Sequence, residues 1–156
     1  MLINIMSSGI EQNILSTFGQ VAESIGYSQV HGKIIGVLLI RGGEMSLQDI
    51  AKRTGYSVPM ISLSLDLLDV LGVVKKCKKS GDRNIYAKLS GDLLECLKKA
   101  FVIRLEKSIG EALAGFEELK SNAGTSPDDR KALAVLEKEI RRLERYVSLL
   151  SKIRLP

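Results

Sequence analysis

Apolar residues recur every three or four positions over most of the chain, a period that predicts helices. Ile10, Ile14, Phe18, Val21, Ala22 and Ile25 share one face of a first helix, which Gly26 ends. Val30–Ile40 is a second helix. It is apolar almost all round (Ile34, Ile35, Val37, Leu38, Leu39, Ile40), so it is expected to be the buried hub of a first domain. Arg41-Gly42-Gly43 stops it. A short helix follows, with Ser46 as N-cap, Asp49 completing a capping-box-like pair, and Leu47, Ile50 and Ala51 facing inward. Gly55 marks a tight turn. Ser57 caps the next helix, Val58–Leu71, which tolerates Pro59 in its first turn, buries Ile61, Leu65 and Leu68, and stops at Gly72.

Beyond Gly72 the pattern changes. Val73-Val74-Lys75-Lys76-Cys77 and Arg83-Asn84-Ile85-Tyr86-Ala87-Lys88-Leu89 are β-prone runs around Ser80-Gly81-Asp82, and read as a hairpin. Residues 92–121 return to helical spacing through Leu94, Leu97, Phe101, Leu105, Ile109, Ala112, Phe116 and Leu119. Ser121–Thr125 is a break. Ser126-Pro127-Asp128-Asp129 starts a last helix running to about Ile153. Its apolar positions, Leu133, Leu136, Ile140, Leu143, Val147 and Leu150, follow the 3,4 spacing of a coiled-coil seam over fewer than three heptads. Such a stripe needs a partner surface, either residues 92–121 of the same chain or a second subunit. The fold class expected is mainly α: a winged helix-turn-helix domain over residues 1–90, then long C-terminal dimerisation helices over residues 91–156.

Composition narrows the functions. The chain has 156 residues, 26% charged and 45% apolar, with no Trp and only 4% aromatics, so stacking platforms for single-stranded nucleic acid are not expected. No apolar run reaches the ~18 residues of a membrane span, and Met1–Ser8 lacks a basic leader, which points to a cytoplasmic protein without membrane contact. Met1–Met6 reads as a dimer arm or a frayed end. Cys77 and Cys96 lack metal or redox spacing and are expected reduced, with a mutual disulfide as the other reading. The single His31 is expected to bond at its helix boundary. With no nucleophile–base pair, metal-ligand cluster or Gly-rich phosphate loop, neither an enzyme nor a cofactor is expected.

The net charge of +5 is concentrated. Val73–Ser90 alone carries Lys75, Lys76, Lys78, Lys79, Arg83 and Lys88 against Asp82. A focused patch of this kind draws polyanions, because each neutralised phosphate releases a condensed counterion. Its other reading is a solvated hairpin edge. Helix, Gly turn, helix and basic hairpin is the order of a winged helix-turn-helix, and Ala51, Gly55 and Ile61 carry the spacing of its two-helix motif.

Four stretches carry a closer likeness: Gly32–Ile40, Ser46–Lys52 through Gly55-Tyr56-Ser57, Leu65–Val74, and Gly81-Asp82-Arg83-Asn84-Ile85-Tyr86. Over about residues 10–90 they resemble the GbsR-like branch of the MarR superfamily of winged-helix transcription regulators. The C-terminal helices are similar only in length and character. The resemblance implies a homodimer binding double-stranded DNA, mostly as a repressor, with osmotic or choline-related effectors only by analogy; no residue pattern names a small-molecule effector.

On that reading the helix from Ser57 lies in the major groove, presenting Val58, Pro59, Met60, Ser62, Leu63 and Asp66. Departing from the family, Val58–Leu71 holds no Arg, Lys, Asn or Gln, so the usual bidentate base readers are missing. Ser57 and Ser62 are left for phosphates or bases, Met60 and Leu63 for thymine methyls, and duplex shape is expected to carry part of the specificity. Affinity is expected from the wing: Lys78, Lys79, Asn84, and Arg83 in a narrow minor groove. Asp82 holds the arginine stem or makes the turn, and Tyr86 reads as packing. Ser46, Gln48, Lys52 and Arg53 are backbone contacts or solvated residues. Arg141, Arg142 and Arg145 are expected to pair with Glu137, Glu139 and Glu144. The dimer contacts expected are Leu94, Leu97, Phe101, Leu105, Leu133, Leu136, Ile140, Leu143, Val147 and Leu150. A protein-interaction adaptor without operator reading is the alternative function.

Overall fold

The structure, a computed structural model, describes residues 8–122 and 124–156. The Met1–Met6 segment lies outside them. The elements follow in the order α1 (Ser8–Ser24), α2 (Gln29–Arg41), β1 (Met45–Ser46), α3 (Leu47–Thr54), α4 (Val58–Val70), β2 (Val74–Lys78), β3 (Ile85–Leu89), α5 (Leu93–Ser121) and α6 (Pro127–Lys152). This is a mainly helical winged-helix fold with long C-terminal helices. Two compact units divide it, one ending at Leu97 and the other running from Lys98 to Pro156.

The first unit is built around α2. Val30, Ile34, Ile35, Val37 and Leu38 are buried and pack with Leu15 of α1, Ile50 and Ala51 of α3, and Ile61, Leu65 and Leu68 of α4. Helices α1 and α2 touch backbone to backbone. A Cβ on Gly32 would come within 2.0 Å of the Phe18 carbonyl oxygen, so only glycine fits there. Local chemistry sets the ends of the helix-turn-helix. Ser46 Oγ accepts from the Asp49 N–H at 3.1 Å and donates to the Asp49 carboxylate at 2.9 Å. Gly55 turns the chain with φ +78°, and Ser57 Oγ accepts from the Met60 N–H at 3.4 Å.

The hairpin pairs Val74 with Leu89 through Lys78 with Ile85. A third strand that periodicity does not predict completes the sheet: β1 pairs antiparallel with β3, Met45 opposite Ala87 and Ser46 opposite Tyr86, in the order β1-β3-β2. Two residues cannot show an alternation, and their partners lie some forty positions away. The start of α5 belongs to this unit. Cys96 is buried in the same core, and its Sγ–H donates to the Val73 carbonyl at 3.5 Å. Cys77 and Cys96 are both free thiols.

In the second unit, α5 and α6 form an antiparallel pair. Val102, Ile109 and Val147 are buried between them, with Leu105, Leu113 and Ile140 packed around. A complete capping box starts α6: Ser126 Oγ accepts from the Asp129 N–H at 3.1 Å, and the Asp129 carboxylate accepts from the Ser126 N–H at 3.2 Å. Hydrogen bonds from the Ser126 hydroxyl and N–H hold the Asp129 carboxyl below the usual carboxylate range. Of the three arginines expected to pair along this helix two do, Arg141 with Glu137 at 3.1 Å and Arg142 with Glu139 at 2.9 Å, whereas Arg145 has no acidic partner among the described residues. Lys120 of α5 also bonds Glu137 and, as the largest cause, holds that carboxyl below its ordinary range.

Candidate nucleic-acid interface

Helix α4 and the wing form one piece through a lysine. Lys76 of β2 makes an ion pair with Asp66 of α4, and its backbone N–H donates to the Asp69 carboxylate at 3.4 Å. Asp66 is therefore no bare negative charge on α4; it ties that helix to the hairpin. A second tie sits near the turn of the hairpin. Glu44 accepts from the Cys77 thiol at 3.6 Å and pairs with Lys79 at 3.4 Å. Burial first, and then the Glu44 charge, push the Cys77 thiol above its ordinary value. The thiolate, the reactive form, is disfavoured there.

The wing turn is organised by Asp82. Its carboxylate accepts from the Asn84 N–H at 2.8 Å and from the Tyr86 hydroxyl at 2.6 Å. These bonds, the tyrosine's first, hold Asp82 below the usual carboxylate range and push the Tyr86 phenol up. The Lys79 ammonium lies 4.1 Å from the centre of the Tyr86 ring. Asp82 thus makes the turn and does not clasp the arginine stem. Tyr86 is more than packing, since it bonds the turn carboxylate and carries a lysine. Lys79 is held from both sides and is the least available of the expected wing cations.

What remains exposed is cationic. Arg83, Asn84 and Lys78 lie open at the tip. Along the strands, Lys75 and Lys88 are exposed and stand directly opposite each other in the register. Like charges opposite each other across a ladder weaken a sheet, so the pair is a cost in the free molecule that a bound polyanion would relieve. Among the described residues, no carboxylate is paired with Lys75, Lys78, Arg83 or Lys88. Periodicity does not single out Lys75 and Lys88 as site residues; strand register, which pairs them, is the missing signal.

Helix α4 presents Val58, Pro59, Met60, Leu63 and Asp66 to solvent, with Ser62 half-buried. Leu63 is 69% exposed and Val70 84%. With Met60 and Leu67 they make an apolar stripe bordering a shallow groove against Val30 and His31. On α3, Gln48 and Lys52 are exposed and Ser46 is half-buried, spent on its cap. Arg53 is not a free cation: it donates to both oxygens of the nearly buried Glu11 carboxylate, at 3.0 and 3.1 Å.

The expected dimer contacts divide. Val147 is buried within the α5–α6 pair, where Leu105 and Ile140 also pack. Leu97, Leu133 and Leu150 are half-buried. Leu94, Phe101, Leu136 and Leu143 are exposed, at 40–52%. His31 bonds at the start of α2, where its Nδ1 accepts from the Ser28 N–H at 3.3 Å and lies 2.9 Å from Ser28 Oγ. Burial holds its pKa below 6.5. Among the described residues no cluster of His, Cys, Asp or Glu could hold a metal ion, and no helix is long and apolar enough to cross a membrane.

Two helices joined by a tight turn and followed by a basic hairpin, which a short strand before them completes into a three-stranded sheet, define a winged helix-turn-helix. Comparison with solved structures agrees. A transcriptional regulator superposes with a TM-score of 0.68 at 19% identity, over 91% of this chain and 96% of its own. NadR in complex with 4-hydroxyphenylacetate reaches 0.43 at 20% identity, over 97% and 94%. A mutant MepR from S. aureus bound to an oligodeoxyribonucleotide reaches 0.45 at 18% identity, over 86% and 92%. The first likeness establishes the fold; the other two are too loose to bear on function. No protein family and no curated protein sequence matches the chain.

Proposed function

We propose that this protein is a homodimeric, cytoplasmic transcription regulator of the repressor type that binds double-stranded DNA, and that it belongs with the GbsR-like branch of the MarR superfamily. Residues 1–90 form the DNA-binding domain and residues 91–156 the dimerisation region. One observation carries the reading. The acids around the hairpin are engaged internally (Asp82 by Asn84 and Tyr86, Asp66 and Asp69 by Lys76, Glu44 by Lys79), while Lys75, Lys78, Arg83 and Lys88 face solvent. A protein that needed only a soluble edge would gain nothing from setting Lys75 against Lys88.

In this reading α4 enters the major groove through Ser57, Val58, Pro59, Met60, Ser62 and Leu63. The wing tip, with Arg83, Asn84, Lys78 and in part Lys79, lies along the adjacent backbone and minor groove. Ser46 and Gln48 approach the phosphates. Two copies address half-sites about one helical turn, roughly 34–36 Å, apart. A small-molecule effector would act by shifting the population of binding-competent dimers.

The test is the salt dependence of duplex binding. Wild-type protein is expected to show a steep linear fall of log affinity with log salt. Lys78→Ala with Arg83→Ala should flatten that slope by about 1.8 per bound subunit, at about 0.9 for each phosphate no longer neutralised. An unchanged slope rejects the wing assignment. The apolar stripe Met60, Leu63, Leu67 and Val70 favours a second reading, a protein-binding adaptor. Duplex binding that is absent or insensitive to salt would select it.

A further inference from the structure

Helix α4 lacks the groups with which proteins usually read base edges by hydrogen bonds. It carries no Arg, Lys, Asn or Gln. An acid could accept from a cytosine amino group, but Asp66 is paired with Lys76, and Asp69 receives the Lys76 N–H. Ser64 is buried. The accessible hydroxyls, on Ser57 and Ser62, both donate and accept, so they do not separate one base pair from another. What α4 does offer at its first two turns is apolar: Val58, Met60 and Leu63, each exposed by 39% or more. The ties from Lys76 to Asp66 and Asp69 fix that surface beside the cationic hairpin.

One major-groove feature suits such a surface: the C5-methyl group of thymine, the only apolar group among the base-edge patterns. Resting on the DNA-binding reading above, we propose that the operator is specified by thymine methyl groups packed against Val58, Met60 and Leu63 rather than by hydrogen bonds from α4. The wing then supplies affinity without sequence, and α4 supplies sequence through hydrophobic contact with the methyls. The preferred sites are therefore runs in which thymine methyls project on one groove face within each half-site.

Uracil isolates the methyl, because it keeps every hydrogen-bonding group of thymine. Duplexes are enriched from a random pool by the wild-type protein, then resynthesised with deoxyuridine for thymine, one position at a time. Affinity should fall about fourfold for each contacted methyl, and about fifteenfold for two, with the salt slope unchanged. Met60→Ala with Leu63→Ala should weaken binding to the thymine duplex and shrink the uracil penalty to what the Val58 contact alone leaves. Both side chains are exposed, so circular dichroism should show an intact fold. Equal affinity for thymine and uracil duplexes with a steep salt slope would overturn the methyl reading while leaving DNA binding in place. A uracil penalty undiminished in the double variant would assign the preference to duplex shape and overturn it too. Salt-insensitive or absent binding to all duplexes would remove the DNA-binding reading itself.

Discussion

His31, the single histidine of the chain, caps α2 as a neutral base: its Nδ1 accepts the Ser28 N–H. Burial disfavours the charged ring and holds the folded pKa below the ordinary histidine value. The unfolded chain then takes up the proton first as pH falls. Stability is whole above about pH 6.5 and declines from there as pH drops toward the folded value. Asp82, Asp129 and Glu137 are held below the ordinary carboxylate range and keep their contributions until more acid conditions, so they do not blur this window. Urea midpoints at pH 7.5 and pH 5 should show the loss in wild-type protein. His31→Gln keeps an acceptor at the third helical position, and should match wild type at pH 7.5 while losing less on acidification. An equal acid loss in the variant would deny His31 this role. The sequence located the residue at its helix boundary, but the sense of its bond depends on burial that only the packed fold supplies.

At the scale of elements, α1 braces the two-helix motif through Glu11 and Arg53. Arg53 follows Lys52 in a basic pair on α3, and local sequence gives no reason to separate them. The fold does: Lys52 is exposed, whereas Arg53 turns back across more than forty positions to a carboxylate that is 12% exposed. Glu11→Ala should destabilise the protein by about 1–3 kcal/mol, the worth of hydrogen bonds to a charged group whose partner is left half-buried. Arg53→Ala should do likewise while leaving the salt slope of duplex binding intact. A flattened slope would return Arg53 to the DNA-contacting set. The same division runs through the rest of the fold. Helices, caps and the hairpin follow from local period and turn chemistry, and they were legible. The β1 strand, the close approach at Gly32, the Lys76 tie to α4 and the capture of Lys79 depend on pairings between distant segments, and they were not.

For the whole molecule, the last helix divides its labour between two surfaces, which a one-dimensional stripe cannot show. Ile140 and Val147 are used within the chain against α5, while Leu136 and Leu143 stay open, and Val135, Tyr146 and Leu149 widen the exposed apolar area. Exposed apolar surface of this kind suits an interface. A second copy would cover it through a two-fold contact in which each subunit offers the same patch. A test at Ile140 would confuse the two surfaces, because a charge there disrupts the α5–α6 pair itself. Leu136→Glu with Leu143→Glu places charge only on the open surface. The variant should keep its helical circular dichroism, yet run at half the wild-type mass by light scattering. Duplex binding should then show about half the wild-type salt slope, since one wing instead of two meets the phosphates. A variant that stays dimeric would place the self-contact on other residues. A wild type that is already monomeric would leave the exposed leucines to a different partner and remove the two-fold half-site geometry from the proposed function.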